Sequence, residues 1–139
     1  MKLQKNTLFA LYSVLESASH PARQLSAGEI ARKYGISPHH LAKVLHTLAR
    51  AGVVESVRGV GGGYRFAGNA KRLTLMDVIK LFENVGAPGR SAAQRRRGGA
   101  GVERAVGTVL AEIDAMAEAT LSSISIATML KLILRQRRS

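Results

Sequence analysis

Apolar residues recur along this chain in three rhythms, and each predicts a different element. Between Asn6 and Ser19 they fall at Leu8, Leu11, Tyr12 and Leu15, a three-and-four spacing that predicts a first helix with one apolar face. His20-Pro21 closes it, because the residue before a proline resists helical backbone. Further on, Leu41, Val44, Leu45 and Leu48 repeat the same spacing with polar residues between them. Val53, Val54 and Val57 then suit a short strand, with Tyr64-Arg65-Phe66 as its returning partner. After Val102 the rhythm becomes a heptad: Val102, Val106, Val109, Ile113, Met116 and Thr120 alternate by four and three.

Capping chemistry sets the boundaries between these elements. Ser26 and Glu29 have the spacing of a reciprocal capping box at a helix start. Gly35-Ile36-Ser37 ends that helix at Tyr34 and caps the next, with Pro38 at the first helical position, where its missing N–H costs nothing. Ala51-Gly52 stops the second helix, and Gly59 to Gly63 are expected to supply positive-φ positions for a tight hairpin. Thr74 to Asp77 repeats the capping pattern and opens a helix expected to reach about Asn84, with Leu75, Val78, Ile79 and Phe82 as its stripe. A last helix is expected from Ser125 to Leu134, followed by a frayed basic tail, Arg135 to Arg138.

The fold class that follows is mainly α with a small β-hairpin wing: a winged helix-turn-helix domain over residues 1–85, then a long C-terminal dimerisation helix and a last helix over 102–139. Between them lies a Gly/Arg-rich segment, 86–101, with five glycines, four arginines and no large apolar residue. It lacks the surface needed to order itself and reads as a flexible loop. Leu110, Leu121, Ile124, Ile126, Met129, Leu130 and Ile133 add more apolar surface than one small domain needs to cover. Pairing of two chains through the heptad residues Val102, Val106, Val109, Ile113, Met116 and Thr120 is therefore expected.

Charge gives the pattern a partner. The chain of 139 residues holds 21 Lys and Arg against 9 Asp and Glu, a net charge of +12, which calls for a polyanion, either nucleic acid or an acidic membrane surface. No apolar run reaches the length of about 18 residues that a membrane span needs. The first residues carry no cleavable leader pattern, so a cytoplasmic location is expected. There is no cysteine, which removes disulfides, thiolate-bound zinc and cysteine-ligated clusters together.

The second helix of the pair turns hydrogen-bonding side chains away from its apolar stripe: His39, His40, Lys43, His46, Thr47 and Arg50. A basic polar face followed at once by a glycine hairpin between Arg58 and Arg65 is the footprint of a helix that enters the DNA major groove beside a wing. No Asp or Glu occurs between Ser56 and Met76, while Arg58, Arg65, Lys71 and Arg72 do, and we expect these to meet phosphates. The DNA-contacting set is therefore Ser37, His39, His40, Lys43, Thr47, Arg50, Arg58, Gly61, Gly62 and Arg65.

Over nearly its whole length the chain resembles the IscR/NsrR-type family of bacterial winged helix-turn-helix regulators. The resemblance is carried by LSAGEIARKYGISPHHLAKVLHTLARAGVVESVRGVGGGYRFA, then LTLMDVIKLFE, and late in the chain ATLSSISIATML. It implies a homodimer whose long late helices cross, presenting two recognition helices to a palindromic operator. It places base readers at Ser37, His39, His40 and Lys43, and sends the wing, Arg58 to Gly63, into the neighbouring minor groove. Cluster-binding relatives carry three cysteines in the loop that here is 86–101, and some add a ligand from the first helix, where this chain has Leu8. The chain departs from that pattern, so no iron–sulfur cluster and no other cofactor is expected.

The reading is a sequence-specific transcription regulator, taken as a repressor, acting on double-stranded DNA as a homodimer. The alternative is a non-specific nucleic-acid binder, although 4% aromatic residues and no Trp leave few platforms for stacking single-stranded bases. An enzyme is not expected on motif grounds. Gly59 to Tyr64 is not G-x-G-x-x-G and opens a strand rather than a helix, no P-loop follows, and no nucleophile elbow is present. A metal shared by His39, His40 and His46 is the weaker reading of those residues, since histidines on a reading face have a simpler use. Three modes of control fit the residues equally: constitutive binding, a small-molecule effector, or a partner protein.

Overall fold

The computed structural model describes residues 2–59, 62–83 and 100–138. Its elements in order are α1 (Lys5–Ser19), α2 (Ala27–Tyr34), α3 (Pro38–Arg50), β1 (Val54–Val57), β2 (Gly63–Phe66), α4 (Leu75–Ile79), α5 (Ala100–Ser123) and α6 (Ile126–Arg137). The architecture is mainly helical with a two-stranded antiparallel hairpin, the winged helix-turn-helix expected from the sequence. Helix α1 packs on α3, α4 and α6, while α2 packs on α3.

The core gathers one side of each element. Leu41, Val44, Leu45 and Leu48 of α3 are buried as a set, together with Ile30 and Ala31 of α2 and Leu75, Met76, Val78 and Ile79 of α4. Helix α1 is turned differently from its expected face. The buried residues are Thr7, Ala10, Ser13, Val14, Ser17 and Ala18, while Leu8, Leu11, Tyr12 and Leu15 are half-buried at the margin. Small side chains let the neighbouring helices approach α1 closely, and the large ones close over the seam from outside. Two of the three fully buried hydroxyl residues are satisfied within the helix, Ser13 donating to the Phe9 carbonyl and Ser17 to the Ser13 carbonyl, both at 2.8 Å.

Three further expectations change. Helix α4 ends at Ile79 rather than near Asn84. The chain tightens there into three-residue turns, with Leu81 N–H donating to Val78 and Phe82 N–H to Ile79. Asn84 itself lies outside the described residues. Helix α6 runs to Arg137, three residues beyond Leu134, so Arg135 and Arg137 sit in its last turn instead of a frayed tail. Cations there face the negative end of the helix dipole. Third, Ile126 is fully buried, and Leu121, Ile124, Met129 and Leu130 pack against the core, so this group is not surplus apolar surface.

Backbone hydrogen bonds explain that last burial. Leu75 N–H donates to Ile124, Ile126 N–H to Leu73 and Ala127 N–H to Ala70, at 2.8–2.9 Å. The start of α6 is thereby stitched to the segment that follows the wing. Helix α5 begins at Ala100, within the stretch expected to be loop, and extends for 24 residues. Most of its apolar side chains find no cover among the described residues. Val102 is 73% exposed and Met116 69%, and Val106, Val109, Leu110 and Ile113 are exposed as well. The expected flexible loop otherwise falls outside the described residues.

Candidate nucleic-acid interface

Local chemistry positions α3 as the second helix of the pair. Ser26 Oγ accepts from the Glu29 N–H at 3.0 Å and starts α2. The expected box is only half made, because the Glu29 carboxylate turns to Arg23 Nη2 at 3.2 Å. Gly35 ends α2 in the left-handed region at φ 64°, and Ser37 Oγ accepts from the His40 N–H to start α3 behind Pro38. A second brace fixes α2 on α1. The Tyr34 hydroxyl donates to Glu16 Oε1 at 2.5 Å, Lys33 Nζ reaches the same oxygen at 2.5 Å, and the Tyr12 and Tyr34 rings stack with centroids 5.0 Å apart. Burial raises the Glu16 carboxyl, but the hydrogen bonds from Lys33 and Tyr34 and the Lys33 charge outweigh it and hold the group below its ordinary range. Burial, and after it the bond to Glu16, pushes the Tyr34 phenol up.

With its apolar stripe buried, α3 leaves Ser37, His39, His40, Lys43, His46 and Arg50 exposed. Thr47 is half-buried, and its hydroxyl donates to the Lys43 carbonyl at 3.2 Å. His39, Lys43 and His46 make no side-chain hydrogen bond or ion pair among the described residues. His40 is different: its Nε2 meets Asn6 Oδ1, and its ring stands edge-on to Phe9 with centroids 5.6 Å apart. Asn6 is 34 positions away, and no local signal in the sequence pointed to it.

The wing follows directly. Val53 N–H donates to the Leu48 carbonyl at 3.0 Å, and β1 pairs with β2 in the register Val54–Phe66, Glu55–Arg65, Ser56–Tyr64, Val57–Gly63. Of the expected positive-φ glycines, Gly59 at φ 122° is confirmed, while Gly62 and Gly63 are not in that region. They are small for another reason. A Cβ on Gly62 would lie 2.7 Å from the Val57 carbonyl oxygen, and one on Gly63 would lie 2.5 Å from that of Leu25. The second approach is the more telling. Leu25 and Tyr64 exchange N–H···O bonds of 2.8 Å in both directions, so the returning strand is locked to the entrance of α2. Gly61 and Val60 lie outside the described residues.

Arg58 is exposed at the end of β1. Arg65 is exposed too, but its guanidinium already pairs with the Glu55 carboxylate, Nε to Oε1 at 2.8 Å with Nη2 on the same oxygen. The strand register, not the sequence, reveals this cross-strand partner. Such an exposed pair is worth about 0–1 kcal/mol, little enough for a phosphate to displace the carboxylate. Thr120, at the end of the expected heptad seam, donates its hydroxyl to the Met116 carbonyl one turn back at 2.9 Å.

Comparison with known proteins agrees with this geometry. The family described as Rrf2, iron-dependent transcriptional regulator, matches residues 3–132. BadM of Rhodopseudomonas palustris, an HTH-type transcriptional regulator by name, is 54% identical over 138 residues, spanning 99% of this chain and 86% of that protein. Among solved structures, IscR of T. potens superposes with a TM-score of 0.72 at 26% identity, covering 94% of this chain and 87% of that one. CymR of B. subtilis, called the global cysteine regulator, gives 0.74 at 22% identity over 95% and 98%, a likeness of fold. The described residues gather no donor set for the iron in the family description. The chain has no cysteine, residues 84–99 contain no His, Asp or Glu, and no group of three metal-ligating side chains exists among the described residues.

Proposed function

The chain belongs to the Rrf2 family and is a DNA-binding transcription regulator rather than an enzyme, and from that premise we propose that it acts as a homodimeric repressor on a palindromic operator. The observation that carries this reading is the pairing of two exposed surfaces. One is the polar and basic face of α3, which continues into a wing locked beside it. The other is the apolar face of α5, including Val109 at 55% and Ile113 at 49% exposure.

In this reading α3 enters the major groove, with Ser37, His39, His40 and Lys43 toward the bases. Thr47 and Arg50 lie further along the helix, and Arg58, Gly62 and Arg65 of the wing, with Lys71 and Arg72 beyond it, follow the phosphates. The α5 faces of two copies, through Val102, Val106, Val109, Ile113, Met116 and Thr120, pack together and present two such helices to half-sites about 34 Å apart. The protein works where the chromosome is, in the cytoplasm, and represses by occupying its operator. A small-molecule or protein effector would act by changing how the two α3 helices are presented. No helix among the described residues is long and apolar enough to cross a membrane.

Selection of bound duplexes from a random pool, with sedimentation to measure the assembly, tests the whole reading. A palindrome with two half-sites and a dimer are expected. Equal affinity for random and selected duplexes would replace it with non-specific nucleic-acid binding. On the selected operator, Lys43→Ala should lower affinity by about 10-fold and unevenly among base variants. Arg58→Ala should lower it evenly for all, and make the dependence of log affinity on log salt shallower by about 1.

A further inference from the structure

We propose that Asn6 is a positioning residue for His40. It holds the imidazole with its proton on Nε2 and so keeps Nδ1 as a hydrogen-bond acceptor for an exocyclic amino group in the operator. This rests on the reading of α3 as the helix that enters the major groove.

The chemistry follows from one contact. His40 Nε2 faces Asn6 Oδ1, an amide oxygen that carries only lone pairs. The hydrogen bond therefore requires the proton on Nε2, and in neutral imidazole the other nitrogen is then an acceptor. Phe9 stands at 87° to the ring and fills the space beside it. His40 is thus oriented by two side chains of α1, while its neighbours His39 and His46 have no such bond among the described residues.

Asn6 is itself held in place. The Glu83 carboxylate accepts from the Gln4 N–H at 3.1 Å and from the Thr7 hydroxyl, and so caps the first turn of α1 from the far side of α4. Thr7 is fully buried and cannot swing away. The first turn of α1 therefore works as a fixed bracket against the start of the reading helix.

An acceptor at this point has a defined preference. In the major groove, adenine N6 and cytosine N4 offer amino donors, while guanine offers acceptors at N7 and O6. Lys43, one turn later, carries only donors and prefers the opposite edges. The two residues together would read a donor and an acceptor about one helical turn apart, a more selective pattern than two cations.

The test combines spectroscopy with base selection at about pH 8, above the ordinary imidazole range. In the intact wild-type protein, the ring nitrogen shifts of 15N-labelled His40 should report the Nε2–H form, and in Asn6→Ala they should move toward a mixture. On operators substituted at each position, the wild type should favour an amino-bearing base at one position by about 5- to 10-fold. Asn6→Ala should bring that preference to within about twofold while leaving the positions read by Lys43 unchanged. His40→Ala should abolish the same preference and no other. An Nδ1–H form in the wild type, or unaltered base preference in Asn6→Ala, would overturn the proposal. If Lys43→Ala and His40→Ala both leave every preference intact, the groove reading of α3 has failed instead. Thermal melting of each variant separates these outcomes from loss of fold.

Discussion

Helices α3 and α5 share a pattern and meet opposite fates. Each carries apolar residues at three-and-four spacing with polar residues between them. In α3 the stripe is sealed: Leu41, Leu45 and Leu48 are wholly inaccessible, covered by α1 and α2 within the same chain. In α5 the stripe from Val102 to Met116 stays open to water, although that helix is nearly twice as long. Periodicity reports that a face wants cover, and it is silent on which chain supplies it. A stripe this long left exposed would be costly in isolation, at about 25 cal/mol for each Å² of apolar surface that pairing would bury.

This contrast can be broken from either side. The largest effect is expected from charging α5: if two copies pair as proposed, Val109→Glu with Ile113→Glu should leave a folded monomer by sedimentation where the unaltered chain runs as a dimer. Operator affinity should then fall by about 100-fold or more, because the second half-site no longer binds as part of the same particle. Truncation in α3 should act on the fold instead. Leu45→Ala is expected to cost about 2–5 kcal/mol in denaturant titration, independently of protein concentration. Ile113→Ala is the matched truncation on the open stripe, and the proposed cover from a second copy predicts a cost that grows as the protein is concentrated.

The smallest effect concerns the brace that sets α2 on α1. Glu16 has a folded-state value below its unfolded one, so its contribution is fully present above the ordinary carboxylate range, about pH 4.3. It fades as pH falls through the lower folded value. Glu16→Gln should lower the melting temperature by roughly 2–4 °C at neutral pH and flatten its decline on acidification.

What the sequence revealed divides along the same line. Caps are local, so Ser26, Gly35, Ser37, Pro38 and Thr74 marked their helix ends correctly. The stripe of α3 and the two strands were equally plain. Helix α1 misled because its inward face is built of Ala and Ser, residues a hydrophobic count passes over, while its larger residues mark the margin. Of the proposed DNA face, the individual residues were legible and their partners were not. Asn6 against His40 and Glu83 beneath Thr7 join segments 34 and 76 positions apart. Glu55 beside Arg65 was readable only once the hairpin register was known. The glycines at 62 and 63 were noticed for the wrong reason, since what they permit is close passage of backbone.

The stitching of Leu73, Ala70 and Ile124 to their partners carries one more implication. It clamps the far end of α5 to the DNA-binding body, and 24 residues of helix make a rod about 36 Å long. A rod fixed at one end and, as proposed, paired along its side would be a ruler. The distance between the two reading heads, and with it the length of operator the protein accepts, would then be written into α5 rather than into any residue that touches DNA.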